Sequence, residues 1–497
     1  MMHVSIYMLF VDLISWLILG YFIVVNTVYL SLLIVSFIAT RNMNKSREAY
    51  EVTGLFDSDL YKSVSVLLPV YNEEKSVRDT VYSLLQLDFH DYEIIVINDG
   101  STDLTFELLK KEFDLYPSVR FIPNLLPHND IVGVYVSKLF PNLLVLDKEN
   151  GKKADALNAG LNASRKEVIC SVDADSWLER DILKKMLRAF VEDEKTIAVG
   201  GVVRVSNGCE FENGQLKNVN PPRSFLGRIQ VIEYLRSFLF GRIGWSSVDG
   251  LLIISGAFAV FDRSALMQTG GYKRESIGED VEVVVKMHHY FTENEIPYSM
   301  KYLPEPVCWT RVPETWGELA AQRNRWQRGL ADTLFNHKSM IGNPKFGWLG
   351  MFSLPFHLIF ELLGPVLELG SYLLFFLLLI FGLVDASFAI LFIFFAILYG
   401  MILSLGALLL DEMTNRPYSR LRDIYMLTGH AFLENLGYRQ LHFWWRLRGL
   451  YDYFRRNKEW NIRDRNPTLT NNLHRAWMTA INLFFFLLLY YGISGSI

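Results

Sequence analysis

Hydrophobic and polar positions divide this chain into three regimes. From about residue 16 to residue 39 the sequence is almost wholly apolar. At about 1.5 Å per residue such a run is long enough to cross a hydrocarbon core of about 30 Å, and it predicts one transmembrane helix. The run exceeds the roughly 7 to 15 apolar residues of a signal-peptide core, and no small-residue cleavage site follows it. Arg41, Lys45 and Arg47 come next. Basic flanks stay on the cytoplasmic side, so the N-terminus is expected outside and the following domain in the cytoplasm.

From about residue 62 to residue 340 the pattern alternates. Short β-rich runs (VSVLLPV, EIIVIND, NLLVLD, EVICSVDAD, AVGGVVRV, LLIISGAFAVF) are separated by helical stretches such as 103–113 and 181–191. Alternation of this kind predicts an α/β domain, a mainly parallel sheet covered by helices on both faces, with ligands at the carboxyl ends of the strands. After Asn343 the chain turns apolar again. Residues 348–369 mix apolar positions with His357, Glu361, Glu368, Pro355 and Pro365, which suits an interfacial or buried helix. Residues 371–384 and 387–410 read as two membrane helices joined at Asp385, and 476–493 as a last span. Between them, 411–475 is arginine-rich, consistent with the inside. Its segment RQLHFWWRLRGLYDYF sets Trp444 and Trp445 beside Arg446 and Arg448, the composition of a helix at headgroup level. The expected organisation is 1–61 for the first span and a linker, 62–340 for the soluble domain, and 341–497 for interfacial and membrane helices.

Composition supports that division. The chain is 51% hydrophobic with a mean hydropathy of +0.18, which points to membrane segments beside a soluble domain. Lys+Arg 49 against Asp+Glu 53 leaves a net charge of −4, so no global basic field is available to attract nucleic acid. Cys170, Cys209 and Cys308 lie far apart, without zinc-site spacing, and read as packed thiols.

The polar residues at the strand ends carry the chemistry. EVICSVDADSW ends in Asp173 and Asp175, on one side of an extended chain because side chains alternate. Two carboxylates there repel unless a cation neutralises them, and hard oxygen ligands suit Mg2+ or Mn2+. A lone DxD is more simply a solvated turn. Here EIIVINDGST also ends in a carboxylate, Asp99, and VSVLLPVYNEE places Tyr71, Asn72 and Glu73 at its end. KENGKKADALNAG then opens a helix with Lys152, Lys153 and Asp155, where cations could hold a phosphate. Four such ends in one sheet converge on one crevice. Glu279 and Asp280 in SIGEDVEVV start a further helix, where Asp280 reads equally as an N-terminal cap or as a general base. His288 and His289 read as structural. In AAQRNRWQRG, Gln322, Arg325 and Trp326 share one helix face, while Arg323 and Gln327 share another. The bland reading of that cluster is a solvated basic helix at the headgroups, and for Arg323 nothing more.

Taken together, PVYNE with the Asp of NDGS, DAD, GED and QRNRW occur in the order seen in the processive branch of the family 2 glycosyltransferases, and the chain resembles that group from about residue 64 to residue 329. The group contains cellulose, chitin, hyaluronan and poly-N-acetylglucosamine synthases. The resemblance implies a GT-A nucleotide-sugar fold, with Tyr71, Glu73 and Asp99 around uridine and Lys152 near the nucleotide. It implies Asp173 near the diphosphate, Asp175 on a divalent metal, and Asp280, preceded by Glu279, as the base that deprotonates the acceptor. Ser255 and Gly256 would lie beside the acceptor. From QxxRW, Arg325 would bind the diphosphate, Gln322 the donor or acceptor region, and Trp326 would form a platform under the acceptor sugar. GED stands where many synthases have TED, and the segment after Leu410 is too short for a cyclic-dinucleotide-binding domain, which disfavours cellulose. The expected activity is inverting transfer from a UDP-sugar, N-acetylglucosamine or glucose, to a growing β-linked glycan. Its setting would be a multi-pass protein of the inner or plasma membrane, with the lipid bilayer and accessory export proteins as partners. Transfer of one sugar to a lipid acceptor is the alternative, and a nucleotide-binding transporter or sensor without turnover a remote one.

Overall fold

The computed structural model describes residues 2–53, 61–212, 214–383, 386–418 and 420–456. The expected span at 476–493, the joint expected at Asp385 and residues 54–60 of the expected linker lie outside the described residues.

The alternating region forms the strands β1 (Val64–Val70), β2 (Tyr92–Asp99), β3 (Leu115–Pro117), β4 (Ile131–Ser137), β5 (Leu143–Lys148), β6 (Val168–Val172), β7 (Ser176–Leu178), β8 (Thr196–Val205), β9 (Glu210–Glu212), β10 (Gln215–Asn218), β11 (Phe258–Asp262) and β12 (Ser299–Thr310). Ten of them make one sheet in the order β3-β4-β5-β2-β1-β6-β11-β8-β12-β7, with β9 and β10 as a separate hairpin. Through its centre, β5-β2-β1-β6, the sheet is parallel. There VSVLLPV and VICSV are nearly continuous apolar runs buried along their length, as strands covered on both faces require. Toward the edges the sheet is mixed: β4 runs against β3 and β5, β11 against β6 and β8, and β7 against β12.

The segment LLIISGAFAVF departs from a single strand. Only Phe258–Asp262 pairs, antiparallel to β6, with Phe258 opposite Val172. Residues 251–257 leave the sheet and run past the end of β6, where the Asp173 N–H donates to the Ala257 carbonyl at 3.2 Å.

Outside the sheet, Val11–Lys45 within the long helix Met2–Thr53, and Ser387–Thr414, are long and apolar enough to cross a membrane. Leu349–Leu362 and Gly364–Ile380 meet at a 48° bend. Pro365 sits at the start of the second helix, where a missing N–H costs least. These helices are tied to one another and to the sheet by polar contacts: the Asn26 amide donates to the Phe395 carbonyl at 2.9 Å, and Arg204 of β8 pairs with Asp411 of Ser387–Thr414.

The helix Arg439–Phe454, expected at the headgroups, docks on the QRNRW helix, Trp316–Asn336. A Cβ on Gly449 would lie 2.8 Å from the Asn324 carbonyl, so the two backbones touch. Asn324 donates to Asp452 at 2.7 Å and Arg446 to Gln327 at 2.7 Å, while Arg446 also pairs with Glu361 at 3.0 Å. Its inward arginines find carboxylates from the segment 349–380, a match made only in three dimensions.

Candidate active site

The crevice begins where β2 and β5 end in register, with Asp99 beside Lys148. Both are buried, and Lys148 Nζ lies 2.7 Å from Asp99 Oδ1 and 2.6 Å from Asp155 Oδ1. Asp99 also accepts from the N–H of Gly151 at 3.0 Å and of Lys152 at 2.8 Å. Burial nonetheless leaves its pKa above the ordinary value, against the pull of Lys148 and the backbone donors. Asp99 thus holds the 149–152 loop in shape. Lys152, at φ 73°, contributes its backbone N–H there, and its side chain is exposed. At the end of β1, Asn72 accepts from the Thr102 N–H at 2.8 Å and the Glu73 N–H donates to Thr105 at 2.8 Å, lacing the first two strand-end loops together. Tyr71 is exposed beside them.

The positive φ of Lys152 turns the next residue inward. Lys153 lies 2.5 Å from Asp173 Oδ1 and 3.0 Å from Glu279 Oε1, and it donates to the Gly256 carbonyl at 3.1 Å. Burial disfavours its ammonium, but Asp173 and Glu279 outweigh that and raise its pKa. Asp280 stands on the other side of the same glycine: the Gly256 N–H donates to Asp280 Oδ2 at 3.1 Å. A Cβ on Gly256 would come 3.0 Å from Lys153 Nζ and 3.4 Å from Asp280 Oδ2, so the backbone passes closely between the two side chains. Burial and then Glu279 raise the Asp280 pKa, opposed by Lys153 and Arg242. Sequence reasoning had not singled out Lys153, since two adjacent lysines give no sign of which one the turn points inward. Arg242, whose guanidinium lies 3.9 Å over the Phe238 ring, carries no motif signal at all.

Asp173 is pushed up to about 6, first by burial and then by Asp175 and Glu279, against Lys153. Asp175 is raised by burial and by Glu73, and it accepts from Thr310 of β12 at 3.3 Å. Among the described residues no three acidic, histidine or cysteine side chains form a ready-made metal cage. Mg2+ commonly takes only one or two carboxylates, leaving the rest of its shell to substrate phosphates and water. Asp173 and Asp175 fit that arrangement, because burial and the neighbouring carboxylates, Asp175 and Glu279 at Asp173 and Glu73 at Asp175, disfavour their charge, and a cation would offset that.

The QRNRW helix meets this centre through Gly329, whose backbone touches Gly278, the residue before Glu279. Gln322 and Arg325 are half-buried, and the Gln322 carbonyl oxygen is buried without a hydrogen-bond partner among the described residues. Trp326 is 42% exposed. Arg323, read from sequence as solvated, is instead buried and paired with Glu233 at 2.7 Å. Ser255 is buried, its hydroxyl accepting from the Ala257 N–H at 3.2 Å. His288 is structural, bridging Tyr298 and the Leu251 carbonyl at 2.8 Å each.

Two family descriptions match the chain: "Glycosyl transferase family group 2" over residues 168–403 and "Glycosyl transferase family 2" over residues 65–125. A poly-beta-1,6-N-acetyl-D-glucosamine synthase of Staphylococcus epidermidis is 33% identical over 273 residues, 55% of this chain and 56% of the relative. The protein of the same name from Staphylococcus aureus (strain COL) is 33% identical over 278 residues, 56% of each. The chain therefore spans little more than half the length of these curated relatives. Among solved structures, a mannosyltransferase of Pyrobaculum calidifontis, in complex with GDP-Man and Mn2+, overlays with a TM-score of 0.46 at 16% identity, covering 86% of this chain and 99% of that one.

Proposed function

The chain belongs to the family 2 glycosyltransferases, and from that premise we propose that residues 62–340 transfer sugar from a UDP-sugar to a growing β-linked polysaccharide. UDP-N-acetylglucosamine is the favoured donor, on the strength of the relatives' names, and UDP-glucose the next. The observation that carries this reading is the bridge through Lys153 and Gly256, which joins Asp173, on the side proposed for the diphosphate, to Glu279 and Asp280, on the side proposed for the acceptor.

In this reading Tyr71 and Glu73 flank the uridine, and Asp99 shapes the 149–152 loop against which the nucleotide lies. Lys153 takes over the role that sequence reasoning gave to Lys152 and faces the diphosphate together with Arg325. Asp173 and Asp175 would hold a divalent ion, Mg2+ or Mn2+, which when bound would offset the negative charge of the diphosphate. Asp280, its pKa raised by burial and by Glu279, accepts the proton of the acceptor hydroxyl as that oxygen bonds to the anomeric carbon. The bond from that carbon to the diphosphate oxygen breaks on the opposite face, and its electron pair leaves with UDP. The configuration inverts, so an α-linked donor yields a β-linkage. Trp326, Gln322, Ser255 and Gly256 hold the acceptor sugar.

The helices Val11–Lys45 and Ser387–Thr414 support a multi-pass protein of the inner or plasma membrane with this unit in the cytoplasm. Growth beside the bilayer suits export of the product, which needs a protein-lined path through lipid and is where accessory export proteins would act. Transfer of one sugar to a lipid carrier is the second reading, since two long apolar helices already suffice to bring the site to the bilayer surface. Incubating membranes that contain the full chain with each labelled UDP-sugar, with and without Mg2+ or Mn2+, and sizing the product separates the two. In the same assay Asp280→Asn should bind UDP-sugar normally and transfer about a hundredfold or more slowly; transfer at the parental rate would remove Asp280 from the reaction.

A further inference from the structure

Arg323 lies within the active-site motif without being one of its matched residues, and its surroundings are too well built for a surface charge. Its side chain is 2% exposed. One guanidinium nitrogen donates to Glu233 Oε2 at 2.7 Å, and the guanidinium carbon lies 4.2 Å from the centre of the Trp326 ring. Glu233 comes from another helix, Phe225–Tyr234, and accepts from the Tyr438 hydroxyl at 2.9 Å, with His442 Nε2 3.5 Å from its other oxygen. Leu226, Ile229, Leu319, Leu441 and Trp445 pack around this junction and keep water from it. A planar cation over an indole face is attracted by the ring's negative face, and more strongly where the cation is stripped of water, as Arg323 is. An exposed tryptophan without such a contact exchanges orientations freely, whereas a sugar platform works only when its face is fixed beforehand.

We propose that Arg323, clamped by Glu233, is the positioning residue of the acceptor platform. Its guanidinium holds the Trp326 ring in one orientation, and Glu233 ties that orientation to the helix Arg439–Phe454 through His442 and the adjoining Tyr438. The proposal rests on the reading of Trp326 as the surface on which the acceptor sugar stacks.

The test uses the full chain in membranes, UDP-N-acetylglucosamine as donor and a β-linked N-acetylglucosamine tetramer as acceptor. Arg323→Lys keeps a charge within reach of Glu233 and loses the planar stack. Arg323→Met combined with Glu233→Gln removes the buried ion pair, while the glutamine amide oxygen can still accept from the Tyr438 hydroxyl. Both variants should raise the acceptor KM about five- to tenfold, the scale of one desolvated cation–π contact, while the donor Kd stays within about twofold. If acceptor KM and donor Kd worsen together in both, or donor binding is lost, the pair is structural and the proposal is overturned. An unchanged acceptor KM in both variants overturns it too. Trp326→Ala separates the two levels: if it raises the acceptor KM while the Arg323 variants do not, only the positioning role fails. If Trp326→Ala leaves the acceptor KM unchanged, the platform reading fails and the positioning role falls with it.

Discussion

Gly278 and Gly329 meet backbone to backbone. A Cβ on Gly278 would lie 3.0 Å from the Cα of Gly329, and one on Gly329 would lie 2.9 Å from the Cα of Gly278. Gly278 precedes the helix that begins with Glu279 and Asp280, and Gly329 lies three residues beyond Trp326 on the QRNRW helix. The segments that carry the proposed base and the proposed acceptor platform therefore meet through two residues without side chains. A threonine at 278 would have no room unless the second helix retreated.

Gly278→Ala and Gly329→Ala should each cost about 1–3 kcal/mol of stability by overpacking, and each should lower transfer more than donor binding. Because either methyl forces the same separation, the double variant should lose clearly less than the sum of the singles. Thermal melts with UDP-sugar titrations measure this; strictly additive losses would show that the contact does not couple the two elements.

Much of this site was legible because carboxylates at the ends of apolar runs stand out. Asp99, Asp173 and Asp175 each follow a buried strand, and the sheet brings their ends together. Direction within a turn was not legible. Lys152 and Lys153 are equivalent as letters, and the φ of 73° at Lys152 decides which one faces the carboxylates. Nor was the burial of Arg323, because its partners Glu233, Tyr438 and His442 lie far away along the chain and only the packing of three helices assembles them. LLIISGAFAVF misleads for a related reason: its apolar character serves the core over its whole length, but Ser255 and Gly256 are drawn off the sheet to meet Asp280.

The two lysines make a sharp comparison. Lys153→Met leaves Asp173 and Glu279 without their shared cation, and both donor affinity and transfer should fall, the latter by about a hundredfold. Lys152→Gly should cost little or even stabilise, since it relieves a left-handed backbone while keeping the N–H that Asp99 accepts. Steady-state kinetics of both variants decide the matter. If Lys152→Gly were the damaging change, the inward lysine would have been misassigned.

Asp173 gives the pH dependence its sign. Its pKa is pushed up to about 6 from an ordinary 3.8, by burial and by Asp175 and Glu279 against Lys153. A divalent cation needs the ionised carboxylate, so metal-dependent donor binding should weaken as pH falls through about 6. Higher Mn2+ should move that midpoint down, because metal and proton compete. Without metal the stability contribution runs the other way: the folded protein holds this proton more tightly than the unfolded chain, so folding gains as pH falls from above 6 toward the ordinary value. Donor titrations and melting curves across pH, each taken as the difference from Asp173→Asn, isolate the group. A midpoint indifferent to Mn2+ would contradict the metal role.

Arg204 of β8 and Asp411 of the helix Ser387–Thr414 join the catalytic sheet to a candidate membrane span. Their side chains are 5% and 0% exposed, the second nitrogen–oxygen contact is 3.2 Å, and Trp309 covers the guanidinium at 5.7 Å. Water cannot replace either partner there, so Asp411→Ala should cost about 3–5 kcal/mol by stranding a buried cation. Replacing both, Arg204→Met with Asp411→Leu, should return most of that loss, because apolar groups fill the same space without a desolvation cost. Thermal unfolding in detergent micelles, compared across the two singles and the double, reads the effect directly. If the double is as unstable as Asp411→Ala, then the pair's mutual attraction, rather than relief of stranded charge, holds the sheet to the helix.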